Sequence, residues 1–196
     1  MLTQEDRIKL LGFRVRHDIN QLHFSEGIIS RNQLSNIENG KSSTTEKVLY
    51  KIYLRFCEYM IVLDDYNRFH FDSLLNFEPY QKLQETLDLY DQVCEVTLTD
   101  DEINQINLKL NHNHFGLINM LIFEKIGDIF MSRAEKENAF VFYLKGYYSM
   151  TTSPVDQINT PYLVKFLEKT TALARELNKT FNVVELLDHL DYIKLK

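Results

Sequence analysis

An all-α fold is what this sequence predicts, and three observations carry the prediction. Apolar residues recur at spacings of three and four in eight segments, 7–17, 44–61, 80–96, 102–110, 115–131, 137–150, 161–177 and 181–193. That is the repeat which turns one face of a helix toward a core. Helix-start signals sit just ahead of several of these segments. β-branched residues are nowhere laid out in alternation, so strand signals are nearly absent.

The elements follow in chain order. The first helix runs from Asp6 to about His17, with Ile8, Leu11 and Val15 as its apolar positions, and Ile19 follows as a buried plug. Asn20-Gln21 opens a short helix that reaches Glu26, and Gly27 turns the chain. Ser30 caps a third helix, RNQLSNIEN, and Gln33 completes a Ser-x-x-Gln box in which hydroxyl and side-chain amide each satisfy a free backbone N–H. Gly40, free to take a positive φ, ends it. Ser43-x-x-Glu46 and Thr99-x-x-Glu102 read as capping boxes, and Thr160-Pro161 places proline at the first helical position, where its missing N–H costs nothing. Residues 63–79, LDDYNRFHFDSLLNFEP, break the pattern and read as a connector. The expected division is a head, 1–62, and a body, 80–196.

Composition bounds the function. The 196 residues are 44% hydrophobic and 26% charged, an ordinary globular balance for one large domain or two small ones. Six glycines and three prolines are too few for a collagen-like chain, a Pro-rich linker or a turn-dense β-sandwich. No apolar run approaches the roughly 18 residues of a membrane span. The segment MLTQEDRIKLLG lacks the layout of a secretory signal, so a cytoplasmic protein with no membrane partner is expected. Cys57 and Cys94 lie too far apart to write a disulfide framework or zinc ribbon, and Cys94 is expected to be buried. The net charge is −6, but it is unevenly spread. Residues 1–62 hold nine Lys/Arg against seven Asp/Glu, whereas 63–196 hold thirteen against twenty-one. A mildly basic head on an acidic body fits a small DNA-binding module joined to a larger regulatory one.

The second and third helices, joined by a short turn, have the layout of a helix-turn-helix. The third projects Arg31, Asn32, Gln33, Ser35 and Asn36 from one polar side and turns Leu34 and Ile37 inward. Arg31 can pair bidentately with guanine and Asn32 or Asn36 with adenine, and Gln33 joins them as a base reader. Gln21, at a helix N-terminus, can bond a phosphate, where the helix dipole also favours negative charge. Ser35, Asn39 and Lys41 are in reach of the DNA backbone, contacts that position without reading sequence.

On these residues the segment GIISRNQLSNIENGK resembles the recognition segment of the Xre (lambda-repressor-like) family, and within it the Rgg/PlcR group of peptide-responsive bacterial regulators. The resemblance covers roughly residues 7–58. Arg14, Asn20-Gln21, Leu34, Ile37 and the run Glu38-Asn39-Gly40-Lys41 fall at family spacing, whereas Asp18 stands where glycine is usual and Phe24-Ser25 where Leu-Ala is usual. The resemblance implies a five-helix head in which Arg14 pairs with Glu38 as a structural pair. Arg16 and Arg55 either touch phosphate or solvate the surface. The resemblance further implies a dimeric, sequence-specific transcription regulator on a palindromic double-stranded DNA operator, controlled by a short signalling peptide.

The body carries a second pattern. Phe123, Ile126, Gly127, Phe130, Ala139, Tyr143 and Gly146 fall at the spacing of a tetratricopeptide repeat, with small residues where two helices touch. The closing proline of that signature would stand at Thr151, with Pro154 three residues late. Helix pairs at 80–96 with 102–118, and at 161–177 with 181–193, would flank it. The concave face should then carry Leu121, Glu124, Lys125, Asp128, Met131 and Ser132. Asn104, Asn107, Asn111 and Asn119, with Lys125 and Asp128, form a candidate peptide groove, because asparagine can both donate to and accept from a peptide backbone.

Catalytic groupings are not evident. His112-x-His114 offers two metal ligands with no third at motif spacing, and helix capping accounts for the acidic run Thr99-Asp100-Asp101-Glu102. There is no phosphate loop, dinucleotide fingerprint or nucleophile elbow. The expectation is a homodimeric regulator that is not an enzyme and holds no cofactor or metal. Two alternatives stand beside it: a protein-interaction scaffold of helical repeats with a vestigial head, and a phage or mobile-element repressor whose body only dimerises.

Overall fold

The computed structural model describes every residue except Met1, Phe69, Val96, 112–114, 152–154 and Lys196. The described residues are helical, with no strand among them, and form two compact units, Met1–Leu83 and Gln84–Lys196. His112, His114 and Pro154, singled out from the sequence, lie outside the described residues.

The first unit contains α1 (Gln4–Arg16), α2 (Gln21–Ser25), α3 (Arg31–Glu38), α4 (Glu46–Val62) and a 3-10 turn at Asp72–Leu74. α5 (Glu78–Glu95) starts in it and continues in the second unit. α1 begins earlier than expected because Thr3 caps it. The Thr3 hydroxyl accepts from the Asp6 N–H (3.1 Å), and the Asp6 carboxylate accepts from the Thr3 N–H (3.0 Å). The expected apolar face of α1 is corrected. Leu10 and Phe13 are buried, whereas Ile8 is 63% and Val15 69% exposed, with Leu11 also exposed. Leu10, Phe13 and Arg14 form a phase-shifted stripe, and sequence periodicity could not tell it from the Ile8–Leu11–Val15 one. The Ser43 capping box is corrected too: Thr45 is the cap, its hydroxyl accepting from the Val48 N–H, and Glu46 is already the first helical residue.

The core of this unit is aromatic. Phe13 meets Phe56 edge-on at 4.7 Å and Phe24 meets Tyr59 at 5.8 Å. Tyr53 on α4 packs against Phe71 (4.8 Å) and Tyr80 (5.0 Å). The Tyr80 hydroxyl accepts from the Phe71 N–H at 3.0 Å. Residues 63–79 are therefore not a connector between domains. They carry Phe71 and Leu74, both fully buried, and complete the first core. Cys57 on α4 is buried and Cys94 exposed, the reverse of what was expected for Cys94.

The second unit holds the rest of α5, then α6 (Asp100–Leu110), α7 (Gly116–Ser132), α8 (Lys136–Met150), α9 (Thr160–Glu176) and α10 (Thr180–Lys194). The Thr99–Glu102 capping box is present. Pro161 is the second residue of α9, one later than expected, and is equally harmless there. α7 packs on α8, α8 on α9 and α9 on α10. The two hairpins α7–α8 and α9–α10 close with the same device. Ala134 and Asn178 adopt left-handed φ values of 61° and 56°. The next N–H in each turn reaches back to close the helix end, Glu135 to the Phe130 carbonyl and Lys179 to the Ala174 carbonyl, both at 2.9 Å.

Small residues sit where these helices touch. Ala139 is fully buried. A methyl group at Gly127 would lie 2.3 Å from Tyr143 Cε1, and one at Gly146 3.2 Å from the Met120 carbonyl oxygen. Gly127→Ala should therefore push the Tyr143 ring off its seat and destabilise the chain by about 1–3 kcal/mol, the usual cost of overpacking. Glycine's lower helix propensity offsets up to about 1 kcal/mol of that. Urea unfolding followed by far-UV circular dichroism measures the net change, and a stabilised variant would show that the ring gives way freely.

Candidate nucleic-acid interface

α3 is positioned from both ends and from behind. At its start, Ser30 accepts from the Gln33 N–H (3.2 Å) while the Gln33 carbonyl oxygen accepts from the Ser30 N–H (3.0 Å). At its end, Gly40 takes φ +67°, and the Lys41 N–H bonds the Asn36 carbonyl at 2.8 Å. Behind it, Leu34 and Ile37 are buried. Ahead of it, Gly27 at φ +72° and bonds from the Ile28 and Ile29 N–H groups to the Ser25 carbonyl set the turn from α2.

A buried ion pair fixes α3 to α1. Arg14 Nε and Nη2 donate to the two Glu38 carboxylate oxygens at 2.6 and 2.9 Å, and Arg14 Nη1 donates to the Ile19 carbonyl at 2.5 Å. Both side chains are almost wholly buried. Gln21 Nε2 adds a third donor to Glu38, at 2.6 Å. The pair implied by resemblance is thus formed with two-point geometry, which adds direction as well as strength.

The predicted DNA-facing residues fall into two sets. Arg31, Asn32, Asn36 and Lys41 are exposed, and their side chains bond nothing among the described residues. The others already have partners. Bidentate adenine recognition needs both carbonyl and amide of a glutamine, and the Gln33 carbonyl oxygen belongs to the helix cap. The Gln21 amide holds Glu38 rather than standing free for phosphate. Asn39 Nδ2 bonds the Ser35 carbonyl at 2.7 Å and its hydroxyl at 3.4 Å, so the two residues tie each other at the helix end. Arg16 and Arg55, left open by the sequence, have internal duties. Arg16 pairs with Asp65 at 2.8 Å, and Arg55 bonds the Phe24 and Glu26 carbonyls at 3.1 and 2.6 Å, closing α2. The hydrogen bond from His17 and the charge of Arg16 hold the Asp65 carboxyl below the usual carboxylate range.

The candidate peptide groove does not form one wall. Asn119 and Asp128 lie nine residues apart on α7, about two and a half turns, so they face opposite sides. Asn111 and Asn119 line a cavity of about 290 Å³ with Leu110, Phe123, Lys145 and Tyr148. Asn107 accepts from Lys145 Nζ at 2.7 Å. Burial lowers the Lys145 ammonium pKa from its ordinary value. Asn104 and Lys125 are exposed. Asp128 belongs to a network that joins α7, α8 and α9. It accepts from the Tyr143 hydroxyl (2.5 Å) and from Lys169 Nζ (2.8 Å), while Lys169 also pairs with Glu124 at 2.6 Å and the Tyr162 hydroxyl bonds Glu124. Burial opposes the Lys169 charge, but its two carboxylates outweigh that and raise its pKa. Of the expected concave face, Leu121 and Glu124 are buried, whereas Lys125, Asp128, Met131 and Ser132 are exposed. Lys145, Lys169 and Tyr162 were missed because their partners are 38–45 residues away in sequence, where no local spacing signals them.

Among the described residues no group of three metal-ligating side chains occurs, and no helix is long and apolar enough to cross a membrane. No protein-family model, curated protein or solved structure matches this chain.

Proposed function

We propose that this chain is a homodimeric, sequence-specific DNA-binding transcription regulator of the cytoplasm, with no catalytic activity. In this reading α1–α4, with the start of α5, are a lambda-repressor-like helix-turn-helix head, and α7–α10 are two tetratricopeptide-like hairpins. One observation carries it: α3 presents Arg31, Asn32 and Asn36 outward with nothing else to bind among the described residues, on a helix locked from behind by the Arg14–Glu38 pair. Two such heads placed about one helical turn apart would read a palindrome.

Dimerisation is assigned to the body. α10 leaves Phe181 80%, Leu195 88% and Val184 and Tyr192 more than half exposed along one side, an apolar stripe that suits a second copy. By resemblance to the Rgg/PlcR group, the proposed ligand of the body is a short peptide, with Asn111, Asn119 and Lys145 around the cavity as the polar partners. The sum of these parts is a switch in which ligand and operator prefer the same dimer geometry.

The decisive experiment is selection of bound duplexes from a random pool, read for sequence and half-site spacing. On the recovered site, Arg31→Ala should cost roughly 1–3 kcal/mol and relax preference at one base pair. Lys41→Ala should weaken all sequences alike and flatten the salt dependence. Enrichment of no sequence would favour the scaffold alternative, and an unchanged preference in Arg31→Ala would argue against its base-reading role.

A further inference from the structure

We propose that Arg7 is a phosphate-binding residue of the DNA interface and that Gly40 provides its seat. This inference rests on the DNA-binding reading and adds a partner for the duplex which nothing in the sequence signalled. Arg7 stands near the start of α1, thirty-three residues from Gly40, yet the Nη1 end of its guanidinium lies against Gly40, in the turn that ends α3. A methyl group at Gly40 would sit 1.7 Å from Arg7 Nη1 and 2.6 Å from its Cζ. Any side chain there would evict the guanidinium, and the φ of +67° independently favours glycine.

The guanidinium is a cation waiting for an acceptor. Arg7 is half-buried, and none of its five N–H donors is bonded among the described residues. Its nitrogens are not buried away from solvent, so an incoming anion can reach them, and a guanidinium matches phosphate with two parallel bonds. The next residue along the turn is Lys41, exposed and equally unpaired among the described residues. One cation from α1 and one from the α3 turn therefore flank Gly40, at the end of the helix that carries Arg31, Asn32 and Asn36. A backbone phosphate beside the groove read by α3 is the anion this arrangement fits.

The rival account is structural: a cation seated at the C-terminal end of α3 gains from the helix dipole. The two differ in salt dependence. The test measures the Kd of the full chain for a mixed-sequence DNA duplex across a salt series, with Arg7→Gln, Arg7→Lys, Gly40→Ala and Lys41→Ala. Removing one cation from the phosphate backbone should lower the slope of log K against log salt by about one. Arg7→Gln and Gly40→Ala should each do so, with affinity falling roughly five- to tenfold at low salt. Arg7→Lys, which keeps the charge, should retain most of the slope. If Arg7→Gln keeps the full slope while Lys41→Ala reduces it, Arg7 is structural and the DNA reading stands. If the unaltered chain binds no duplex at any salt, the DNA reading and the Arg7 assignment fall together. Gly40→Ala decides the matter should Arg7→Gln not fold.

Discussion

Glu38→Ala is expected to destabilise the first unit by about 3–5 kcal/mol, the cost of stripping one partner from a buried ion pair. The loss has a specific anatomy. Glu38 is the common acceptor for Arg14 Nε, Arg14 Nη2 and Gln21 Nε2. Removing it leaves the Arg14 charge buried with only the Ile19 carbonyl as partner among the described residues. α3 then keeps its apolar back, Leu34 and Ile37, but loses the charged link to α1. Replacing both charges at once, Arg14→Met with Glu38→Leu, should be much milder, because no orphaned charge remains. Urea unfolding of the two singles and the double separates the terms. A Glu38→Ala loss under about 1 kcal/mol would put the pair in the class of solvated surface bridges. DNA affinity adds a second readout. The double variant should fold and still bind, with α3 held by packing alone.

The fold was legible wherever the signal was local. Apolar spacing placed eight of the helices within a few residues, and Ser30–Gln33 and Thr99–Glu102 mark helix starts by chemistry that needs only four residues. Gly40 and Gly27 stand at positive φ, as their type and position suggested. Reading failed where two answers share one local pattern. α1 contains two apolar stripes, and only the tertiary partner Phe56 selects the one with Phe13. Ser43 and Thr45 both precede Glu46 as capping hydroxyls, and backbone geometry selects Thr45. Asp18 and Asp64 hold left-handed conformations without glycine, which the short aspartate side chain tolerates better than most. At the site, residue type showed which side chains face outward but not which were already bonded. Gln33, Gln21 and Asn39 carry chemistry suited to DNA and have internal partners. Arg7 carries the same chemistry and was invisible, because the glycine that seats it belongs to another helix turn.

Residues 63–79 are where the sequence reading of domain limits and the structure diverge most, and Tyr53 makes the divergence measurable. If those residues were a connector, the face of α4 toward them would be solvated and Tyr53 would tolerate truncation. Instead Tyr53 is fully buried between Phe71 and Tyr80, and Leu74 and Leu83 are buried in the same unit. Tyr53→Ala should cost about 3–5 kcal/mol, as for other buried aromatics, from the transfer energy forfeited plus the cavity left behind. Tyr53→Phe keeps the ring and should cost about 1 kcal/mol, the worth of the hydroxyl's hydrogen bonding. Hydrogen exchange resolved by segment gives the location. Protection should fall together in α4 and in residues 70–83, which share the cavity. Loss confined to α4 would mean that 63–79 merely lie on a core complete without them, and the expected head of 1–62 would fold alone. Joint loss means that a head cut at residue 62 exposes Tyr53 and its neighbours and does not hold α3 in place for any partner.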